Sequence, residues 1–178
     1  DRTSPDNIAA LLDEGHPARE ALMDLPHNDQ VLAETIAETG NFVAGFSHGS
    51  NTAPPMLKRR ILIKRDVKNF LLEQKQPQSM YFQSTAQFLP ELQKAAAGNG
   101  SFMATAESDA VIRRTSLIFH DGRQIYPSLM LEGVRLYEKN GKEFIKISAN
   151  ENYTNYKISE PLEIIIGDYT IPVSAEGK

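Results

Sequence analysis

Gly45-Phe46-Ser47-His48-Gly49 has the spacing of a serine-hydrolase nucleophile elbow, and it follows a run that reads as a strand. The chemistry needs a sharp strand-to-helix turn, so that a helix N-terminus and nearby amides can meet a developing oxyanion. Here Ser50-Asn51-Thr52-Ala53-Pro54-Pro55 comes next and does not begin a helix promptly. The only histidine well downstream is His120, beside an expected turn, so Ser47 with His120 is the alternative and a strand end with loop is preferred. Glu107-Ser108-Asp109 sets two carboxylates two residues apart, which could hold a hard cation such as Mg²⁺ or Ca²⁺ only with several more oxygens. Arg113 and Arg114 follow closely and oppose a cation, so turn capping or pairing with arginine is favoured. Either arginine could grip an anion, but on a strand adjacent side chains face opposite ways and only one could line a pocket.

Lys58-Arg59-Arg60 with Lys64, Arg65 and Lys68 is the densest basic run. Ile61, Leu62, Ile63 and Val67 are interleaved as core positions rather than stacking platforms, so a solvated edge is expected. Asn152-Tyr153-Thr154 matches a glycosylation sequon of a kind common by chance. The chain has no P-loop, Gly-x-Gly-x-x-Gly, His-Glu-x-x-His or EF-hand pattern. No catalytic residue, metal or cofactor is therefore expected.

Composition narrows the classes. The chain has 178 residues, 40% of them hydrophobic, which suits one domain with a real core. A net charge of −4 argues against a nucleic-acid partner. The absence of cysteine excludes disulfides, zinc-thiolate sites and cysteine nucleophiles, but identifies no compartment. No apolar run approaches the roughly 18 residues of a membrane span. The start at Asp1 and the stop at Lys178 suggest a piece of something longer.

Helices are expected over 5–14, with Ser4 as cap, and over Asp29 to Thr39, with Asn28 as cap and Gly40 as left-handed stop. In the second, Val31, Leu32, Thr35 and Ile36 share one face. Residues 41–46 read as a buried strand, 47–57 as loop, 61–63 as a short strand and 88–97 as a helix. Phe102 to Thr105 reads as a strand that pairs in parallel with 41–46 across the crossover. Beyond it, strands over 115–119 and 124–126 flank an Asp121-Gly122 hairpin turn, and Leu129 to Tyr137 is a helix. Glu143 to Ser148 is a strand, and 162–166 with 169–173 form a hairpin around Gly167-Asp168. The fold class is α/β: a single domain, a mixed sheet with a parallel βαβ core, flanking helices and C-terminal β-hairpins.

Several ordered stretches carry a resemblance. Asp29-Gln30-Val31-Leu32-Ala33 opens a helix, and Gly40-Asn41-Phe42-Val43-Ala44-Gly45 leads into a buried strand. Leu92 precedes Ala95-Ala96-Ala97-Gly98-Asn99-Gly100. Val111-Ile112-Arg113-Arg114 and Tyr126-Pro127-Ser128-Leu129, with Glu132 and Arg135 after them, are the most specific parts. In this order they resemble the cyclase- and histidine-kinase-associated sensory extracellular domains, in the second CHASE family. The resemblance is strongest over residues 1–138 and weak beyond. Members commonly have Asp-x-Asp-Gly where this chain has Glu107-Ser108-Asp109-Ala110. Alanine disfavours positive φ, so a different turn is expected there.

The resemblance implies one extracytoplasmic sensor domain over 1–178, with room for a missing opening strand. It implies a bacterial membrane receptor, anchored through transmembrane helices on either side, homodimeric and responsive to a small ligand or a periplasmic protein. The effector it implies is cytoplasmic: most often a nucleotide cyclase, otherwise a histidine kinase, diguanylate cyclase or protein kinase. A pocket, if ligand-binding, is expected at the carboxyl ends of the parallel strands. Ser47, His48, Glu107 and Asp109 are expected there, with Arg113 and Tyr126 as secondary candidates.

Overall fold

The computed structural model describes residues 3–59, 61–73, 81–104, 106, 109–149 and 162–173. Three helices open the chain: α1 (Pro5–Ala10), α2 (Pro17–Met23) and α3 (Asn28–Thr39). Proline in the first turn fixes the start of α1 and α2, where a missing N–H costs nothing. Ser4 is buried at the N-cap of α1 but makes no side-chain cap bond. At α3 the cap is His27 rather than Asn28, its Nδ1 accepting the Asp29 N–H at 3.2 Å. Gly40 ends α3 with φ 64°, as its sequence position predicts. The expected apolar face is inward only at Ile36, with Ala33 beside it, while Val31 and Leu32 are exposed.

β1 (Val43–Asn51) is longer than the sequence suggests, because Ser47 to Asn51 continue the strand instead of forming a loop. β2 (Leu62–Ile63) leads into α4 (Arg65–Glu73). β3 (Thr85–Gln87), α5 (Pro90–Ala95) and β4 (Gly98–Ser101) follow. β1 pairs antiparallel with β3 and parallel with β4, giving the order β3-β1-β4 and the expected parallel core. The parallel partner is Gly98–Ser101, however, not the stretch from Phe102. α3 and α5 pack against Ala44 of β1 through Ile36, Leu92 and Ala96.

The second half brings β5 (Ile118–His120), β6 (Ile125–Pro127) and α6 (Leu129–Tyr137), then a single 3₁₀ turn, Glu138–Gly141. β5 and β6 form the expected hairpin, and Asp121 closes it by accepting the N–H groups of Arg123 and Gln124 at 2.8 Å each. A parallel bridge between Ser101 and Ser128 links β4 to the end of β6. β7 (Lys146–Ala149), β8 (Leu162–Ile166) and β9 (Tyr169–Val173) complete a second sheet of order β2-β7-β8-β9. The β8–β9 hairpin has the bounds read from sequence.

The largest core cluster joins this second sheet to α4, α6 and the β5–β6 hairpin. Val67, Leu71, Ile118, Leu131, Ile145, Ile147, Ile164 and Ile166 are all at most 2% exposed. At about 1.5–3 kcal/mol for each such side chain, this cluster is the main apolar tie between the halves. The basic run tethers backbone around it: Lys58 donates to the Lys94 carbonyl, and Arg59 to the Lys142 carbonyl at 2.7 Å while covering the Phe144 ring. Arg60 lies outside the described residues.

Candidate ligand site

Ser47 is half-buried in the middle of β1, opposite Ala86, and His48 beside it is exposed. No elbow forms. Both glycines of the motif have packing reasons instead. A Cβ on Gly45 would stand 2.7 Å from the Phe102 ring, and one on Gly49 would collide with the β3 backbone at Ala86. Ser84 adds a bond from its Oγ to the Gly49 carbonyl at 2.6 Å. His120 is buried in β5, where its Nδ1 accepts the Gly122 N–H at 3.3 Å and its ring lies 5.5 Å from that of Tyr81. The Gly-x-Ser-x-Gly spacing is thus a record of close strand packing, and the hydrolase geometry is not assembled.

Glu107 and Ser108 lie outside the described residues. Asp109 and Arg113 are brought together: the guanidinium grips the carboxylate with bonds of 2.7 and 3.0 Å, both side chains about half exposed. The same carboxylate accepts the Val111 N–H at 3.1 Å. The Arg113 contact, then the Val111 bond, holds the Asp109 carboxyl below its ordinary value. Residues 111–116 are not a strand, so the alternation argument for the two arginines does not apply. Ala110 adopts φ 62°, which means the turn keeps the left-handed conformation despite its alanine.

Tyr126 is 2% exposed, packed edge-on against Phe46 and tilted against Phe82 in a cluster with Met103 and Phe119. Its hydroxyl donates to Asp121 at 3.1 Å, and burial, followed by the Asp121 charge, pushes its ionisation far above the usual range. The secondary candidate is a core residue whose polar end locks the hairpin turn.

A cavity of about 450 Å³ opens where β4 ends and α6 begins, lined by Ser101, Phe102, Thr115, Ser128, Leu129 and Met130. This is the carboxyl end of a parallel strand, where open α/β sheets place their clefts. The loop carrying Asp109 and Arg113 leaves from one wall, Phe102, and returns at another, Thr115. Ser128 caps α6 by accepting the Leu131 N–H at 3.1 Å, and Ser101 accepts the Met103 N–H at 3.2 Å. One turn further along α6, Glu132 and Arg135 form a two-bond ion pair at 2.6 and 2.8 Å with both side chains under 5% exposed. Arg135 also donates to the carbonyls of Gly141 at 3.0 Å and Ala97 at 3.5 Å, which ties the helix to the start of β4. A Cβ at Gly98 would come within 2.5 Å of Glu132 Oε1, so this glycine makes room for the pair.

Sequence reading did not assign Ser101, Phe102, Ser128 or Met130 to a site. A usable signal was present in Leu129-Met130-Leu131-Glu132-Gly133-Val134-Arg135, where opposite charges three residues apart sit inside an apolar helix. Among the described residues, no group of three or more His, Asp or Glu could hold a metal ion. No described helix is long and apolar enough to cross a membrane.

A family model described as the CHASE2 domain matches residues 4–178, almost the whole chain. The chain belongs to the CHASE2 family. CHASE2 domains are extracellular sensors, not catalytic units, and the match runs through the C-terminal sheet where the sequence resemblance is weak. No curated protein and no solved structure matches the chain.

Proposed function

We propose that this CHASE2 domain is the extracytoplasmic sensor of a bacterial transmembrane receptor whose cytoplasmic effector is a nucleotide cyclase. The observation that carries the reading is the CHASE2 match over residues 4–178. Flanking membrane spans anchor the parent, which works as a homodimer and responds to a small ligand or a periplasmic protein. The ligand entry we favour is the cavity at the start of α6, with Asp109 and Arg113 on the loop bordering it. α6 supports a signalling role because it runs from that cavity to the buried Glu132–Arg135 pair. A ligand would act by binding one of two receptor arrangements more tightly, since equal affinity for both shifts nothing.

Two measurements on the parent test this. Alkaline phosphatase fused after Val173 should be active outside the cytoplasm, and an inactive fusion would sink the extracytoplasmic reading. Membranes containing the parent should form cyclic nucleotide from ATP or GTP. Phosphotransfer without cyclase activity would replace the effector while leaving the sensor intact.

A further inference from the structure

A second cavity, of about 550 Å³, lies toward the other end of α6. The end of α3 lines it with Thr39, Gly40 and Asn41, and α6 lines it with Gly133, Leu136 and Tyr137. Glycine is a poor residue for a helix interior, yet Gly133 has an ordinary φ and no neighbour that demands it. A Cβ on Gly45, Gly49, Gly98 or Gly100 would strike other atoms, whereas one on Gly133 would meet nothing within 4 Å. The bare helix surface there leaves room that no described part of the chain fills. Four residues on, Tyr137 shares that face of α6 and is 83% exposed, so its ring offers a flat apolar side beside the gap. Polar groups stand across from it. Asn41 is exposed, and its amide carries both donors and an acceptor. Among the described residues that amide has no hydrogen-bond partner. Thr39 Oγ1 donates to the Ile36 carbonyl at 3.0 Å and can still accept.

We infer that this cavity binds a neutral sugar. A pyranose has an apolar C–H face and a rim of hydroxyls, each able to donate and to accept. The face lies on the Tyr137 ring and over Gly133, and the rim meets the Asn41 amide and Thr39 Oγ1. Other ligand classes fit worse. Among the described residues no charged side chain lines the cavity, so neither an anion nor a cation finds a counter-charge there. A wholly apolar ligand would cover the Asn41 amide and leave it without a partner. A volume of about 550 Å³ is within the range of small-molecule sites. This site is separate from the ligand entry favoured above, and the inference goes beyond the sensor reading without resting on it.

Glucose, galactose, mannose and N-acetylglucosamine, each tested singly, are the probes, with saturation-transfer NMR on the 178-residue chain as the readout. Wild type should saturate the ring protons of at least one of them. Gly133→Leu fills the gap with a better helix former, so it should melt no earlier than wild type by circular dichroism and lose the saturation. Tyr137→Ala changes an exposed position without touching the helix interior, and affinity should fall about tenfold with the stacking face. Tyr137→Phe keeps the ring and should bind as wild type does. No saturation of any of the four sugars by wild type overturns the inference, as does equal saturation by wild type, Gly133→Leu and Tyr137→Ala. Saturation of choline in place of the sugars would also overturn it, by reassigning the cavity to an organic cation. Binding alone decides the site, whereas phosphatase fusion and cyclase activity decide the sensor reading, so either can fail without the other.

Discussion

Ala110 sits at φ 62°, where the Cβ of an L-residue crowds its own backbone at a cost of roughly 1–2 kcal/mol. Asp109 holds the chain there, taking the Val111 N–H and the Arg113 fork on one carboxylate. Glycine would remove the strain and add about 0.5–1 kcal/mol of lost chain entropy. Ala110→Gly should therefore stabilise the domain by about 0.5–1 kcal/mol, read as a higher midpoint in urea unfolding. An unchanged or lower midpoint would show that the surrounding loop already absorbs the strain. The carboxylate has its own signature. Its folded pKa lies below the ordinary value, so its contribution is present above the unfolded pKa of about 3.9 and disappears as pH falls through the folded value. In Arg113→Gln the Asp109 carboxyl should titrate nearer its ordinary value, which carbon-detected NMR can follow; an unmoved titration would assign the shift to the Val111 bond.

At the scale of elements, α6 carries a conflict that the fold resolves locally. Two charges are buried in an apolar helix, and their cost is met by two short bonds between them and two carbonyls facing Arg135. Glu132→Ala leaves Arg135 buried without its counter-charge and should cost about 3–5 kcal/mol, seen in chemical unfolding. Replacing both, Glu132→Gln with Arg135→Met, should recover much of that loss, and a double variant as weak as the single one would mean that the carbonyl contacts matter more than the charge pair. The same helix explains what could and could not be read from sequence. The β8–β9 hairpin is legible because three consecutive isoleucines run up to Gly167-Asp168, and the β-formers Tyr169, Thr170, Ile171 and Val173 follow it. β4 is not, since Gly98-Asn99-Gly100-Ser101 has none of the β-branched residues that mark a strand. Its composition answers to α6: a Cβ on Gly100 would stand 2.6 Å from the Leu129 backbone. The cavity inherits that illegibility, because Ser101 and Ser128 meet only when β4 and α6 approach closely. Tyr126, by contrast, is a secondary pocket candidate in the sequence, whereas its ring sits in an aromatic cluster that no local spacing reveals.

For the whole molecule, three separately paired sheets must avoid joining with those of another copy. In the second sheet β9 is an edge, paired among the described residues only with β8. Unpaired edges invite strand addition, and proline is a common safeguard because it cannot donate to an incoming strand. Pro172 stands opposite Glu163 in β9 and is exposed, whereas Val173 beside it is buried. The β8–β9 ladder remains in register through it, which places the missing donor on the outward side. Pro172→Val should thus leave the thermal midpoint nearly unchanged while adding one outward N–H to a strand already rich in β-formers. Sedimentation should then show concentration-dependent self-association that the wild type lacks under the same conditions. If both proteins sediment alike, the edge is protected by the side chains around it, and association in the receptor must be sought on the exposed helical face near Val31 and Leu32.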